Sequence, residues 1–274
     1  MKQIISIIII MLTLVPLGNA QEPFKQSLSG IKKVSLKAST DMKVEVTQGN
    51  ELILDWGKIC DGCDDNGNYN DLPYVREQVE KKRNKAKGLK AIYADGVDNT
   101  GFGMQLDRDG EVLRIKDLKP ITQRRSFTIK IPKGVSLEVD TSTLGSVDID
   151  GFSDELEVTS NVGHVKLVNV TGPITASTST GPIDVIFTTV SQNSPISLTT
   201  STGDIDVTLP SNTNANVELR STMGTVYSNF DLVKPREDGL KNITGNRKIK
   251  GTLNNGGVKV YLSSSTGDIY LRKQ

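Results

Sequence analysis

The sequence lacks most of the side chains that common catalytic and metal sites need. Its 274 residues include a single histidine, His164, two cysteines and an aromatic fraction of only 5%. A zinc site built on several histidines is therefore excluded, and a Ser-His-Asp triad could use His164 alone. Because the sequence offers His164 no evident catalytic partners, we interpret it as a surface residue. We predict no catalytic residues and no cofactor.

Long apolar runs are missing except at the start of the chain, where one predicts an export signal. Lys2 supplies a positive start, residues 4–17 are mostly apolar, and residues 18–20 are the small ones that signal peptidase requires. A retained membrane anchor is the alternative, but the run is short and Pro16 interrupts it. We expect cleavage after Ala20, no later membrane span, and a protein that is periplasmic, exposed on the outer surface or secreted.

Basic charge is scarce in the middle of the chain. Residues 136–230 contain 11 acidic residues but only two basic ones, Lys166 and Arg220, whereas both flanks are net basic. A nucleic-acid-binding domain carries a basic face on its regular elements. Since the regular part of this chain is its acidic part, we predict no nucleic-acid partner.

Glycines in the same region mark a repeat. Six glycines, named below, serve as anchors of this repeat. The first five of these anchor glycines are separated by 18 to 22 residues, and an aliphatic residue stands two positions after each of the six. Alternating apolar positions on both sides of the glycine predict strands with one buried face. So short a unit cannot bury that face alone, so neighbouring units must stack. The anchor glycines are Gly145, Gly163, Gly181, Gly203, Gly224 and Gly267.

These stacked units predict an all-β fold, a β-solenoid resembling a parallel β-helix and made of short glycine-anchored coils. An antiparallel sandwich or closed barrel is the alternative, but it does not explain why similar residues recur at one phase. Residues 35–46 repeat the pattern without its glycine. We assign residues 21–274 to one domain with loop insertions at about 58–100 and 231–250, and such insertions often form the functional face.

The motif Ser-Thr-Gly-Asp-Ile-Asp-Val at residues 201–207 and the closing segment 251–271 resemble a bacterial family of exported adhesin-like domains of unknown function. The resemblance covers most of the mature chain. It implies a β-solenoid at the cell envelope and brings no catalytic motif with it. The segment 58–100 departs from the family pattern, so we expect what is particular to this member to lie there.

Cys60 and Cys63 form the only cysteine pair, Cys-Asp-Gly-Cys, in a chain that we expect to be exported. Oxidoreductases place such a pair at a helix N-terminus, which lowers the pKa of the attacking thiol. Here the acidic, turn-forming residues 64–71 follow, and neighbouring carboxylates raise a thiol pKa. We therefore predict a structural disulfide between Cys60 and Cys63, with a redox-active, free or metal-bound pair as alternatives.

Stacking in register would create a charged row three positions after the glycines. In this row Asp184 and Asp206 would face each other unpaired, with Asp204 nearby, and these three are weak candidates for holding a metal cation. A solvated charged surface is the favoured interpretation, because carboxylates near water repel one another only weakly. The predicted row contains Asp148, Lys166, Asp184, Asp206 and Tyr227.

Together these features favour an exported, non-enzymatic envelope protein, an adhesin or interaction scaffold that contacts an envelope protein or a glycan. One alternative is a polysaccharide-active enzyme on a β-helix, with calcium on the acidic row and Arg220 or Lys166 as the base. Another is a periplasmic partner in envelope signalling. The scarcity of aromatic side chains in the repeat makes a long carbohydrate cleft the weaker hypothesis.

Overall fold

A computed structural model describes residues 23–55, 81, 85, 87–89, 91–120, 126–232 and 248–274. The predicted export signal and the predicted disulfide of Cys60 and Cys63 lie outside these residues. Within the described ranges, no helix combines the length and the apolar character that crossing a membrane requires.

The described chain forms twenty β-strands. The first ten are β1 (Phe24–Ser27), β2 (Lys33–Lys37), β3 (Met42–Thr47), β4 (Glu51–Asp55), β5 (Met104–Asp109), β6 (Val112–Asp117), β7 (Phe127–Pro132), β8 (Ser136–Asp140), β9 (Val147–Asp150) and β10 (Leu156–Val162). The other ten are β11 (Val165–Val170), β12 (Ile174–Thr180), β13 (Ile183–Phe187), β14 (Ile196–Thr202), β15 (Ile205–Leu209), β16 (Ala215–Ser221), β17 (Val226–Ser228), β18 (Lys248–Leu253), β19 (Val258–Ser264) and β20 (Ile269–Lys273).

The strands form two sheets of ten. The first sheet has the order β1-β4-β7-β3-β9-β11-β13-β15-β20-β17, and the second has the order β18-β16-β19-β14-β12-β10-β8-β2-β6-β5. Among the described strands, neighbours within the repeat pair in parallel, and antiparallel pairs occur only toward the sheet ends, in β1-β4-β7, β16-β18 and β5-β6. The prediction of an all-β, solenoid-like stack of parallel strands is confirmed, and the antiparallel alternative is wrong.

Alternating side chains explain why the two sheets stay together. The residues two positions after the glycines form an aliphatic ladder between the sheets, with each member directly beside the next. Burying such a side chain contributes about 1.5–3 kcal/mol, so this ladder is a main source of the stability of the stack. The ladder consists of Val147, Val165, Ile183, Ile205 and Ile269, all buried.

Glycine stands where the chain bends from the second sheet to the first. Gly203 has a φ of +145°, which side-chain-bearing residues rarely adopt, and a Cβ added there would collide with the backbone carbonyl oxygen of Gly181. Gly181 has a φ of +143° and meets the carbonyl oxygen of Gly163 in the same way. The bends of successive coils therefore pack backbone against backbone, at a distance that no side chain would allow.

A buried row of hydroxyl groups supports these bends, and sequence reasoning missed it. Each hydroxyl stands three residues before an anchor glycine and donates a hydrogen bond to a glycine carbonyl oxygen. Ser264, for example, donates to Gly203 at 2.9 Å and accepts the backbone N–H of Gly267 at 2.8 Å. The row satisfies polar groups that the stack removes from water. Its members are Ser160, Thr178, Thr200, Ser221 and Ser264.

The order of the coils in space differs from their order in the chain. Strand β19 lies between β14 and β16, and β20 lies between β15 and β17. Strand β18 begins at Lys248, inside the range 231–250 that we predicted as a loop insertion, and it pairs with the outer edge of β16. The glycine-free repeat at residues 35–46 does enter the stack, since β2 pairs with β8 and β3 with β9.

Candidate functional site: the outer row of the first sheet

Polar and aromatic side chains form a continuous row on the outer surface of the first sheet. We call it the outer row, and its members lie directly beside one another on adjacent strands because each stands one residue after a ladder residue or after Met42 or Val226, which pair with the ends of the ladder. The predicted register of Asp148, Lys166, Asp184 and Asp206 is thus present. In spatial order the outer row contains Lys43, Asp148, Lys166, Asp184, Asp206, Tyr270 and Tyr227.

The two central carboxylates of the outer row are not unpaired, contrary to expectation. Nε2 of His164 lies 2.8 Å from Oδ2 of Asp184. Arg272 holds Asp206 with two nitrogens, Nε at 2.7 Å from Oδ1 and Nη2 at 2.7 Å from Oδ2. The prediction failed because it considered only the repulsion between the two acids and not His164 at the bend before β11 or Arg272 two residues beyond Tyr270 on β20.

Asp204, the third cation candidate, has a structural partner. Its Oδ1 accepts the backbone N–H of Asp268 at 2.8 Å, and Oδ1 of Asp268 accepts the backbone N–H of Thr225 at 2.7 Å. Asp41 makes the same bond to the N–H of Ser146 at 2.6 Å. An acid just after the bend thus ties one coil to the next. The described residues contain no group of three or more histidine, cysteine or acidic residues placed to hold a metal ion.

Two tyrosines end the outer row at the edge of the first sheet. The rings of Tyr227 and Tyr270 stack with centroids 5.2 Å apart and planes 9° from parallel. Cζ of Arg272 lies 5.2 Å from the centroid of the Tyr270 ring, a cation–π contact. Desolvation, the hydrogen bond from the Tyr270 hydroxyl to Asp268 and nearby acids raise the pKa of Tyr270. The side chain of Tyr227 remains 50% exposed.

The sequence contained a signal for Tyr270 and Arg272, the two residues of this site that the predicted row omits. Tyr270 stands three positions after Gly267, as Tyr227 does after Gly224, yet only Tyr227 was placed in the predicted row. Arg272 follows Tyr270 on the same face of β20, since alternate residues of a strand share a face. Arg220, considered above as a catalytic base, lies on β16 of the second sheet and is not part of this row.

The arrangement suits non-covalent recognition. Arg272 is fixed by Asp206 on one side and by Tyr270 on the other, and these contacts raise its pKa, chiefly through the hydrogen bond to Asp206. The stacked tyrosines add an exposed aromatic surface with hydroxyl groups at its rim. Because parallel strands hold every member of the row at a spacing of about 4.8 Å, its polar and aromatic groups are positioned before any partner arrives.

The fold and this row define a class: parallel-stranded, solenoid-like β-proteins that carry a patterned outer face. The family model of Toastrack DUF4097 matches residues 98–272, more than half of the sequence. The chain belongs to this family. The predicted resemblance to a family of domains of unknown function is thereby confirmed.

The chain is similar to a crystal structure of a "putative cell adhesion protein" from Clostridium sporogenes ATCC 15579, with 10% sequence identity and a TM-score of 0.41. This similarity covers 92% of the chain and 100% of that structure. No curated protein matches the sequence.

Proposed function

We propose that the protein is an exported, non-enzymatic scaffold of the cell envelope that binds a protein or glycan partner through the outer row. The observation that carries the proposal is the stacked pair of Tyr227 and Tyr270 beside Arg272. Tyrosine and arginine are the residues that most often dominate the binding energy of interfaces. The half-exposed Tyr227, stacked on the ring of Tyr270 at the edge of the first sheet, offers this chemistry directly to a partner.

The short glycine-anchored coils are part of the proposal because they keep the row rigid. Bends that pack backbone on backbone hold neighbouring strands in one register, so the side chains of the row lose little freedom when a partner binds. A rigid row also sets the spacing of the partner groups that it can contact. This supports a scaffold that recognises a repeated or extended surface.

The pairing of the acids favours the scaffold over a polysaccharide-active enzyme. The enzyme hypothesis needs carboxylates that are available to a calcium ion, with an arginine or lysine beside them as the base. Asp184 and Asp206 instead contact His164 and Arg272, and Arg220 lies on the other sheet. The two acids therefore already have partners and Arg220 is separated from them, while Lys166 stays beside Asp184 in the outer row.

Site-specific photo-crosslinking in the native cell tests the proposal. A photoreactive residue replaces Tyr227, and the matched control replaces Tyr261, a tyrosine on the outer surface of β19 in the second sheet. We expect a defined cross-linked partner from position 227 and none from 261. Purified protein on a glycan array, with the Tyr227→Ala and Tyr261→Ala variants, distinguishes a glycan from a protein partner. Equal products from both positions, or none from either assay, would overturn the proposal.

A further inference from the structure

A second surface, separate from the outer row, lies in the segment that departs from the repeat. Tyr93 and Gly96 form an isolated antiparallel bridge, which makes residues 92–97 a miniature hairpin with its turn at Ala94 and Asp95. Ile92 precedes this bridge and Val97 follows it, so the two aliphatic residues flank the paired positions.

The hairpin turns its polar-tipped side chain inward and its aliphatic side chains outward. Tyr93 is partly buried, and burial together with Asp98 and Asp117 raises the pKa of its hydroxyl. Alternation along the strands then directs Ile92 and Val97 to the opposite side. They are 94% and 67% exposed, and Leu89, three residues before Ile92, is 76% exposed. These are among the most exposed large apolar side chains of the described chain, and contiguous exposed apolar patches mark interaction sites.

Basic residues accompany this apolar tip. Residues 81–97 contain six lysines and arginines and a single acid. Among the described lysines, Lys85 and Lys87 precede the hairpin and are exposed, and Nζ of Lys116 donates a hydrogen bond to the carbonyl oxygen of Asp95 in its turn at 3.1 Å. The acid nearest the base of the hairpin, Asp98, is occupied by the backbone N–H groups of Thr100, Gly101 and Gly103.

We propose that this hairpin docks the protein onto an anionic lipid surface, with Leu89, Ile92 and Val97 entering the interface and the lysines contacting lipid phosphates. Exposed aliphatic side chains next to basic ones are the composition that interfacial membrane binding uses. Each lysine near an anionic surface adds about fivefold to binding, which corresponds to about 1 kcal/mol. Such docking would hold the scaffold at a membrane while its outer row contacts a different partner.

Vesicle sedimentation tests the proposal with the exported form that begins at Gln21. The probes are vesicles of phosphatidylcholine alone and of equal parts phosphatidylcholine and phosphatidylglycerol. We expect binding to the anionic vesicles, and a loss of at least about tenfold in the partition coefficient for the double variant Leu89→Ser, Ile92→Ser. Met223→Ser is the matched control, since Met223 is 73% exposed but lies outside the hairpin, and it should bind as the unaltered protein does.

The charge contribution is tested separately. Lys85→Gln combined with Lys87→Gln should weaken binding to the anionic vesicles by about twenty-fivefold, whereas Lys133→Gln combined with Lys273→Gln should leave it unchanged. As a spectroscopic readout, Ile92→Trp in a Trp56→Phe background should shift its fluorescence to shorter wavelength when anionic vesicles are added. Unchanged melting temperatures identify folded variants.

Three outcomes would overturn the proposal. The first is that the unaltered protein binds neither kind of vesicle, which would leave a protein as the occupant of the hairpin. The second is that the hairpin and control variants lose binding equally. The third is that the fluorescence of the Ile92→Trp variant does not respond to vesicles with which that variant sediments. Because the outer row is not altered in any arm, these results do not depend on the proposed function.

Discussion

The residues of the inner ladder and those of the outer row are only one position apart in sequence, but the ladder is buried and aliphatic whereas the row is polar or aromatic and faces water. Ile205 faces its neighbours across a dry interior, while Asp206 faces water and holds Arg272. The ladder repeats aliphatic side chains from coil to coil, whereas the row changes from acid to lysine to tyrosine. Uniformity is what packing requires, because each coil must fit both neighbours. The side chains of the outer row do not have to pack in this way, so they can differ from coil to coil and can serve recognition.

Ile205→Asp should cause the largest loss in the free energy of unfolding, because it places a carboxylate of the kind found in the outer row inside the buried ladder. An ionised carboxylate between Ile183 and Ile269 would have no partner, and we expect a loss of about 4 kcal/mol or more in the free energy of unfolding. Chemical denaturation measures this loss. A cost below that of Gly203→Ala would mean that β15 does not face the interior as described.

Gly203→Ala should have the second-largest effect, a loss of about 3 kcal/mol in the free energy of unfolding. The substitution adds only a methyl group, but it adds this group at the bend. The new Cβ would collide with the carbonyl oxygen of Gly181 and the positive φ would be strained. Gly110→Ala is a useful control, since it shares a positive φ but has nothing within 4 Å of a Cβ. If both variants lose the same stability in thermal unfolding, backbone strain alone explains the glycines and close packing does not.

Ser264→Ala should lower the free energy of unfolding by about 2 kcal/mol, since it leaves the N–H of Gly267 and the carbonyl of Gly203 without this partner. Ser263→Ala, on the neighbouring outward position, should change it little. Denaturant titration of both variants compares the two sides of β19 directly. A Ser263 effect as large as that of Ser264 would contradict the assignment of the buried hydroxyl row.

Asp206→Asn should give the smallest change, a slight fall in melting temperature as the ionic contact with Arg272 is lost. Arg272→Gln should cause a similar fall, and the double variant should add little to either. Millimolar calcium should not raise the melting temperature of the unaltered protein. A higher melting temperature for Asp206→Asn would show that repulsion from Asp184 outweighs the pairing, and a calcium-dependent rise lost in that variant would restore the cation site.

Register was the part of the fold that the sequence could predict. Glycines at one phase, with aliphatic residues two positions later, set which residues lie side by side, and Val165, Ile183 and Ile205 do so. The order of the coils along the stack could not be predicted, for the same reason. Because every coil presents similar aliphatic residues at the ladder position, the sequence pattern does not decide at which level of the stack the coil of β19 and β20 lies. Stacking in chain order therefore gave Asp206 the wrong neighbour, Tyr227 in place of Tyr270.

The sequence could predict only those features of the site that depend on alternation within a single strand. Placing Asp184 and Asp206 on the outer surface needed alternation alone. Their partners needed more, since His164 reaches Asp184 from the bend of the preceding coil and Arg272 reaches Asp206 across 66 positions of sequence. Nor did alternation alone reveal the exposed hairpin at residues 92–97, because two paired residues leave no periodic pattern to detect.

Strands β19 and β20 follow β16 and β17 in the chain but lie beneath them in the stack. A solenoid whose coils stack in chain order can grow from its first coil as synthesis proceeds. Here that growth halts after β15, because β16 and β17 have no surface to stack on until residues 258–273 have been made. The last coils must therefore form together, once residues 258–273 are available, through contacts that are distant in sequence and hence slow to form.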